Sequence, residues 1–153
     1  RADSLGRCAE ELTWRINLAR ERGIVLAVEA HLGSIASTPE EALEMLAATP
    51  GLTLSLDYTH FTKLGMEDAR IAALLPHASH FHARGAAPGK LQTILKENTI
   101  DYPAIVRAFV QLGYAGYFGI EYTWNEWENC NRTDNVSETI LLRDLVRETL
   151  KGM

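Results

Sequence analysis

The sequence predicts an α/β fold of four strand–helix units with parallel strands, the C-terminal half of a (β/α)8 TIM barrel. Three observations predict it. Short apolar runs alternate with amphipathic stretches on short connections, the pattern of parallel strands joined by helical crossovers. Four of the runs each end in a residue that binds metal well: Glu29 after 25–28, Asp57 after 52–56, His82 within 79–82, and Glu121 after 117–120. Their separations, about 25 to 40 residues, match the repeat of a β/α barrel, which gathers the C-terminal ends of its strands on one face.

A helix is predicted over residues 5–22, where Leu5, Cys8, Ala9, Leu12, Ile16 and Ala19 fall at helical spacing and Gly23 stops the pattern. The first strand follows at about 24–30. Thr38 as N-cap, Pro39 at the first helical position and Glu41 in capping-box register then open a helix. It runs through Met45 and Leu46 to the break at Thr49-Pro50-Gly51. The second strand, about 52–58, connects through Thr59-His60-Phe61 to a helix at about 67–75 that Pro76 ends. The third strand, about 78–84, opens into the loop Gly85-Ala86-Ala87-Pro88-Gly89. A helix at about 102–112 stops at Gly113, and the fourth strand covers about 116–122. After a polar, aromatic loop, residues 137–151 form a closing amphipathic helix.

Four such units do not close a barrel, which needs eight. The chain opens in a helix with neither Met nor strand, so residues 1–153 read as a single domain or half-barrel whose first half is absent. A half-barrel that pairs with a second copy is the next reading. A small open sheet covered by helices is the third.

Composition narrows the class of function. With 46% hydrophobic and 23% charged residues, the chain is ordinary for a globular protein. Its net charge of −5 gives no general basic surface, so nucleic acid is not an expected partner. Apolar runs such as 71–75 are too short to span a bilayer, and no signal peptide is evident. Two cysteines, Cys8 and Cys130, without CxxC spacing fit a reducing cytoplasm, in which the sequons at Asn131 and Asn135 are chance matches. There is no nucleotide-binding glycine loop, no nucleophile elbow and no HExxH, so no nucleotide cofactor is expected.

What remains is the quartet. Three carboxylates and one imidazole suit Mn²⁺, Mg²⁺, Co²⁺ or Zn²⁺. His31 lies two residues beyond Glu29, and His80 two before His82, so each shares its neighbour's strand face. Either could support the metal shell by hydrogen bonding a ligand, or serve simply as a packed strand residue. Trp124, Trp127 and Tyr122 follow the last strand, where aromatic rings wall a site or pack a loop.

The segments Val28-Glu29-Ala30-His31, Leu56-Asp57-Tyr58-Thr59-His60, His80-Phe81-His82-Ala83-Arg84 and Gly119-Ile120-Glu121-Tyr122 carry a resemblance. With them, the whole chain resembles the C-terminal half of the sugar phosphate isomerase/epimerase superfamily, the xylose-isomerase-like TIM barrels. In members such as the ketose 3-epimerases, Glu, Asp, His and Glu on the last four strands hold one divalent ion. The resemblance puts that set on Glu29, Asp57, His82 and Glu121. It implies a substrate contact from His60 and another from Arg84 or Lys90. Trp124 is a candidate wall for the substrate. Two departures stand out. Many relatives carry an acidic residue two or three positions after the metal histidine, where this chain has Arg84-Gly85. Neither the loop 86–92 nor Trp124-Asn125-Glu126-Trp127 matches a subgroup of defined substrate.

The implied activity is a divalent-metal-dependent isomerase or epimerase acting on a small sugar or related hydroxy-carbonyl compound. Glu29 and Glu121 would share the proton transfer, through a metal-stabilised enediolate. A dehydratase or lyase of the same fold uses the same first step. An endonuclease-IV-like repair enzyme shares the architecture, but five histidines and a charge of −5 argue against it. From another class, the chain could be a non-catalytic half-barrel that needs a partner chain or forms a homodimer.

Overall fold

The computed structural model describes residues 2–153. Its elements run α1 (Ala2–Arg20), β1 (Ala27–Val28), α2 (Pro39–Ala48), β2 (Thr53–Asp57), α3 (Tyr58–Lys63) and α4 (Asp68–Ala72). A 3-10 turn at Leu75–His77 leads to β3 (Ala78–Ala83), and another at Leu95–Glu97 precedes α5 (Tyr102–Gln111). Then come β4 (Phe118–Ile120), a kinked 3-10 segment (Trp127–Arg132) and α6 (Asn135–Lys151). The four strands form one parallel sheet in sequential order, β1-β2-β3-β4, as the wall of a β/α barrel requires.

Period-2 alternation divides the strand residues between two faces. Leu54 and Leu56 of β2 and Phe81 and Ala83 of β3 are buried in one core with Ile71, Leu74, Tyr102, Phe109 and Leu142 from the helical layer. Phe81 sits edge-on to Phe109, with ring centroids 5.2 Å apart. Each fully buried side chain of this size contributes about 1.5–3 kcal/mol. The opposite parity, which includes Thr53, Ser55, Asp57, His80, His82, Gly119 and Glu121, faces what would be the inside of a barrel.

The capping box forms as expected. Thr38 Oγ1 accepts from the Glu41 amide at 3.2 Å, and Glu41 Oε2 accepts from the Thr38 amide at 3.2 Å. Elsewhere the elements differ from the sequence reading. The strand expected over 24–30 pairs only at Ala27–Val28, because β1 has a neighbour on one side alone. The helix expected over 67–75 is broken, with Pro76 confining its end to a 3-10 turn. Tyr58, read as the end of the second strand, and the connection through Thr59-His60-Phe61 instead belong to α3, which Asp57 caps by accepting from the Thr59 amide at 2.9 Å. The closing helix starts at Asn135 because Asp134 accepts from the amides of Val136 and Ser137.

Among the described residues, no helix is long and apolar enough to cross a membrane. The outer edges of β1 and β4 are unpaired in the sheet, and apolar side chains flank both: Val25 is 67% exposed and Tyr117 80%. Open edges beside apolar surface template association. The 153-residue chain by itself should therefore sediment as a dimer or larger species, and a monodisperse monomer at micromolar concentration would contradict this.

Candidate metal centre

The parallel register brings the strand ends together. Asp57 pairs with His82 across β2 and β3, and His82 with Gly119 across β3 and β4. The amide of Glu121 continues that ladder, donating to Ala83 O at 3.0 Å. Glu29 leaves the end of β1 on the same parity. One ligand atom from each of Glu29, Asp57, His82 and Glu121 lies within 4.8 Å of every other. The four residues singled out in the sequence thus converge as a set.

That proximity is costly. Two like charges 4.8 Å apart repel by about 3.5 kcal/mol at an effective dielectric of 20, and three carboxylates meet here. Asp57, fully buried, has both oxygens engaged: Oδ1 accepts from the Thr59 amide (2.9 Å) and hydroxyl (2.5 Å), and Oδ2 from Arg84 Nη2 (2.5 Å). His60 is also buried, and its Nε2 donates to Glu29 Oε1 at 3.1 Å while lying 3.3 Å from Asp57 Oδ2. That bond holds the Glu29 carboxyl below its ordinary value of 4.5, against the opposing effect of burial. His82 Nδ1 and Glu121 Oε2 are buried atoms without a hydrogen bond, 3.4 Å apart. Two orphaned donor atoms facing each other in a cluster of three oxygens and one nitrogen are what a divalent ion satisfies. The residues fit such an ion.

The surrounding side chains are sorted by their contacts. His31 Nδ1 donates to Leu32 O at 2.6 Å, and its ring lies 3.9 Å from that of His60. Glu29, His31 and His60 also form a possible ligand group by proximity. His80 packs edge-on to His82 at 5.0 Å, and burial holds it below its ordinary 6.5, aided by His82. Gly119 makes room for both rings, since a Cβ there would come within 2.9 Å of His80 Nε2. Lys90 pairs with Glu97 on an exposed surface, and Trp124 is 72% exposed. Trp127 instead stacks on His31, with centroids 5.5 Å apart.

Two supports were invisible in the sequence. Gln92 pins the loop after β4, giving Nε2 to the carbonyls of Thr123 (3.0 Å) and Cys130 (2.6 Å) and accepting at Oε1 from the Thr123 amide (2.9 Å). Lys63, at the end of α3, pairs with Glu128, and Glu128 and Asn129 both adopt left-handed backbone (φ 57° and 59°). Nothing in a single polar loop residue marks it beforehand as a clamp.

Residues 1–145 match the family model described as xylose isomerase-like TIM barrel. The chain belongs to that family. No curated protein matches it. Among solved structures of this fold, an L-ribulose 3-epimerase aligns with a TM-score of 0.72 at 21% identity, over 99% of this chain and 56% of its own. A xylose isomerase-like TIM barrel protein from Mycobacterium smegmatis, in complex with magnesium, gives 0.72 at 21% identity, over 96% and 49%. A probable 3-DHS dehydratase of petrobactin synthesis from Bacillus anthracis gives 0.70 at 15%, over 94% and 58%. The chain therefore spans about half the length of these relatives, and it has their fold.

The His60–Glu29 bond sets a sign that can be measured. A lowered carboxyl adds stability above its ordinary value of 4.5, and that contribution is lost as pH falls through the lowered value. In metal-free His60→Ala the Glu29 carboxyl should titrate higher than in wild type, because burial remains and the largest lowering contact is gone. Carbon-13 NMR of the side-chain carboxyl reads this directly, and an unchanged midpoint would refute the assignment.

Proposed function

We propose that this chain supplies the metal-binding and proton-transfer wall of a divalent-metal-dependent isomerase or epimerase acting on a small sugar or related hydroxy-carbonyl compound. The observation that carries the reading is the convergence of Glu29, Asp57, His82 and Glu121 within 4.8 Å at the C-terminal ends of four parallel strands. These four would hold the ion, Mn²⁺ or Mg²⁺ by the preference of an oxygen-rich set. When bound, the ion supplies a Lewis acid that stabilises negative charge on a substrate oxygen.

The remaining work belongs to the protein. Glu29, kept ionised by His60, accepts a proton from the carbon beside the substrate carbonyl. Glu121, whose Oε2 lacks a hydrogen-bond donor, would carry the proton on the other side. His60 orients Glu29 and is a candidate substrate contact, and Trp127 offers a flat apolar face beside it. Return of the proton to the opposite face of the same carbon gives an epimer, and return to the neighbouring carbon gives an isomer. Loss of a hydroxyl after the same abstraction is dehydration, the second reading, which the fold of the Bacillus anthracis relative supports. The cavity's other wall would come from further strands, whether on the same polypeptide, a second copy or a partner. Unpaired Cys8 and Cys130 fit a cytoplasmic setting.

The test is turnover of a panel of ketoses with Mn²⁺ by protein carrying this chain, with product mass separating isomers from dehydrated species. Glu121→Gln should lower turnover by about 10²–10⁴-fold, the usual worth of a positioned acid–base group, with an unchanged circular dichroism spectrum. Full activity in that variant would rule out the role given to Glu121.

A further inference from the structure

Arg84, two residues past His82, is buried: its side chain is 5% exposed. Its carboxylate partners among the described residues are two of the four candidate ligands. Nη2 donates to Asp57 Oδ2 at 2.5 Å, and Nη1 lies 3.7 Å from Glu121 Oε2 and 3.5 Å from Glu121 O. Nε donates to Thr59 Oγ1 at 3.2 Å, and that hydroxyl in turn donates to Asp57 Oδ1. The main chain of Arg84 is clamped as well. The buried Tyr102 hydroxyl accepts from its amide at 3.0 Å and donates to its carbonyl at 2.5 Å. The planar guanidinium is thus fixed at both ends and aimed between two carboxylates, a geometry that a lysine ammonium does not reproduce.

Charge gives this geometry its meaning. Three carboxylates and one guanidinium leave two net negative charges, the exact complement of one divalent ion. A guanidinium committed to these acceptors presents little to a sugar, so its work lies in the ligand set. We propose that Arg84 is a positioning residue, a fixed counter-charge that holds Asp57 and Glu121 in ligand geometry before the ion arrives. This rests on the metal reading given above. The guanidinium and the ion then act on the same repulsion, so each should lessen the effect of removing the other. A residue that merely packed the core would show no such coupling.

Thermal unfolding of the full chain, with and without saturating Mn²⁺, separates these roles. Arg84→Met should melt several degrees below wild type in chelator. Mn²⁺ should restore most of that loss, so the Mn²⁺-induced rise is larger in the variant than in wild type. Phe109→Leu, a core change remote from charge, should lose the same amount with and without Mn²⁺. Equal Mn²⁺-induced rises in wild type and Arg84→Met would overturn the counter-charge role while leaving the metal reading intact. No rise in wild type would overturn the metal reading and this proposal with it. Should Arg84→Met fail to fold in chelator, its folding on addition of Mn²⁺ would support the proposal. Should it fail in both conditions, Arg84→Lys decides: a deficit that Mn²⁺ recovers supports the role, and one that Mn²⁺ leaves unchanged overturns it.

Discussion

Three carboxylates whose oxygens lie within 4.8 Å of one another place a demand on everything around them. At roughly 3.5 kcal/mol per pair for an effective dielectric of 20, their mutual repulsion approaches the whole stability of a domain this size, about 5–15 kcal/mol. Such a cluster persists only where fixed positive charge and hydrogen-bond donors offset it. The buried Arg84 guanidinium, the Thr59 amide and hydroxyl, and His60 Nε2 provide that offset. They leave His82 Nδ1 and Glu121 Oε2 unsatisfied, on the side where a cation would complete the set.

The fold supplies the placement. Parallel strands in sequential order put Asp57, His82 and the residue before Ile120 in lateral register, so residues far apart in the chain meet without a long loop. Asp57 does two jobs at one position: it ends β2 on the inner face and caps α3, which carries Thr59 and His60 back over it. Gly119 keeps β4 clear of two imidazole rings. On the other face, Phe81, Phe109 and Tyr102 lock the sheet to its helices, and Tyr102 also grips Arg84 from behind. Core packing and site geometry are therefore coupled through single residues.

The four strands and the convergence of Glu29, Asp57, His82 and Glu121 at their ends were legible in the sequence because apolar runs of strand length each stop at a polar residue with ligand chemistry. The capping box at Thr38 was legible for the same reason, since residue type and spacing carry it. The short helix after Asp57 was not, because an aspartate at a strand end reads as a ligand before it reads as a cap. The sequence pointed to Trp124 as the wall, whereas Trp127 is the ring stacked on His31. That choice depends on a turn through two left-handed residues, Glu128 and Asn129, each costing about 1–3 kcal/mol, held by Gln92 and Lys63 from distant segments. The contacts of Arg84 were hidden too, because a lone arginine past a histidine looks equally suited to bind substrate.

A site assembled this way holds its anions against repulsion on the open face of a half-barrel sheet, and the proposed function requires a cation among them. The most direct measurement is anomalous diffraction at the manganese edge from crystals grown with Mn²⁺. The account predicts one peak about 2.0–2.2 Å from oxygens of Glu29, Asp57 and Glu121 and a nitrogen of His82. A peak elsewhere, or none at saturating Mn²⁺, would contradict it.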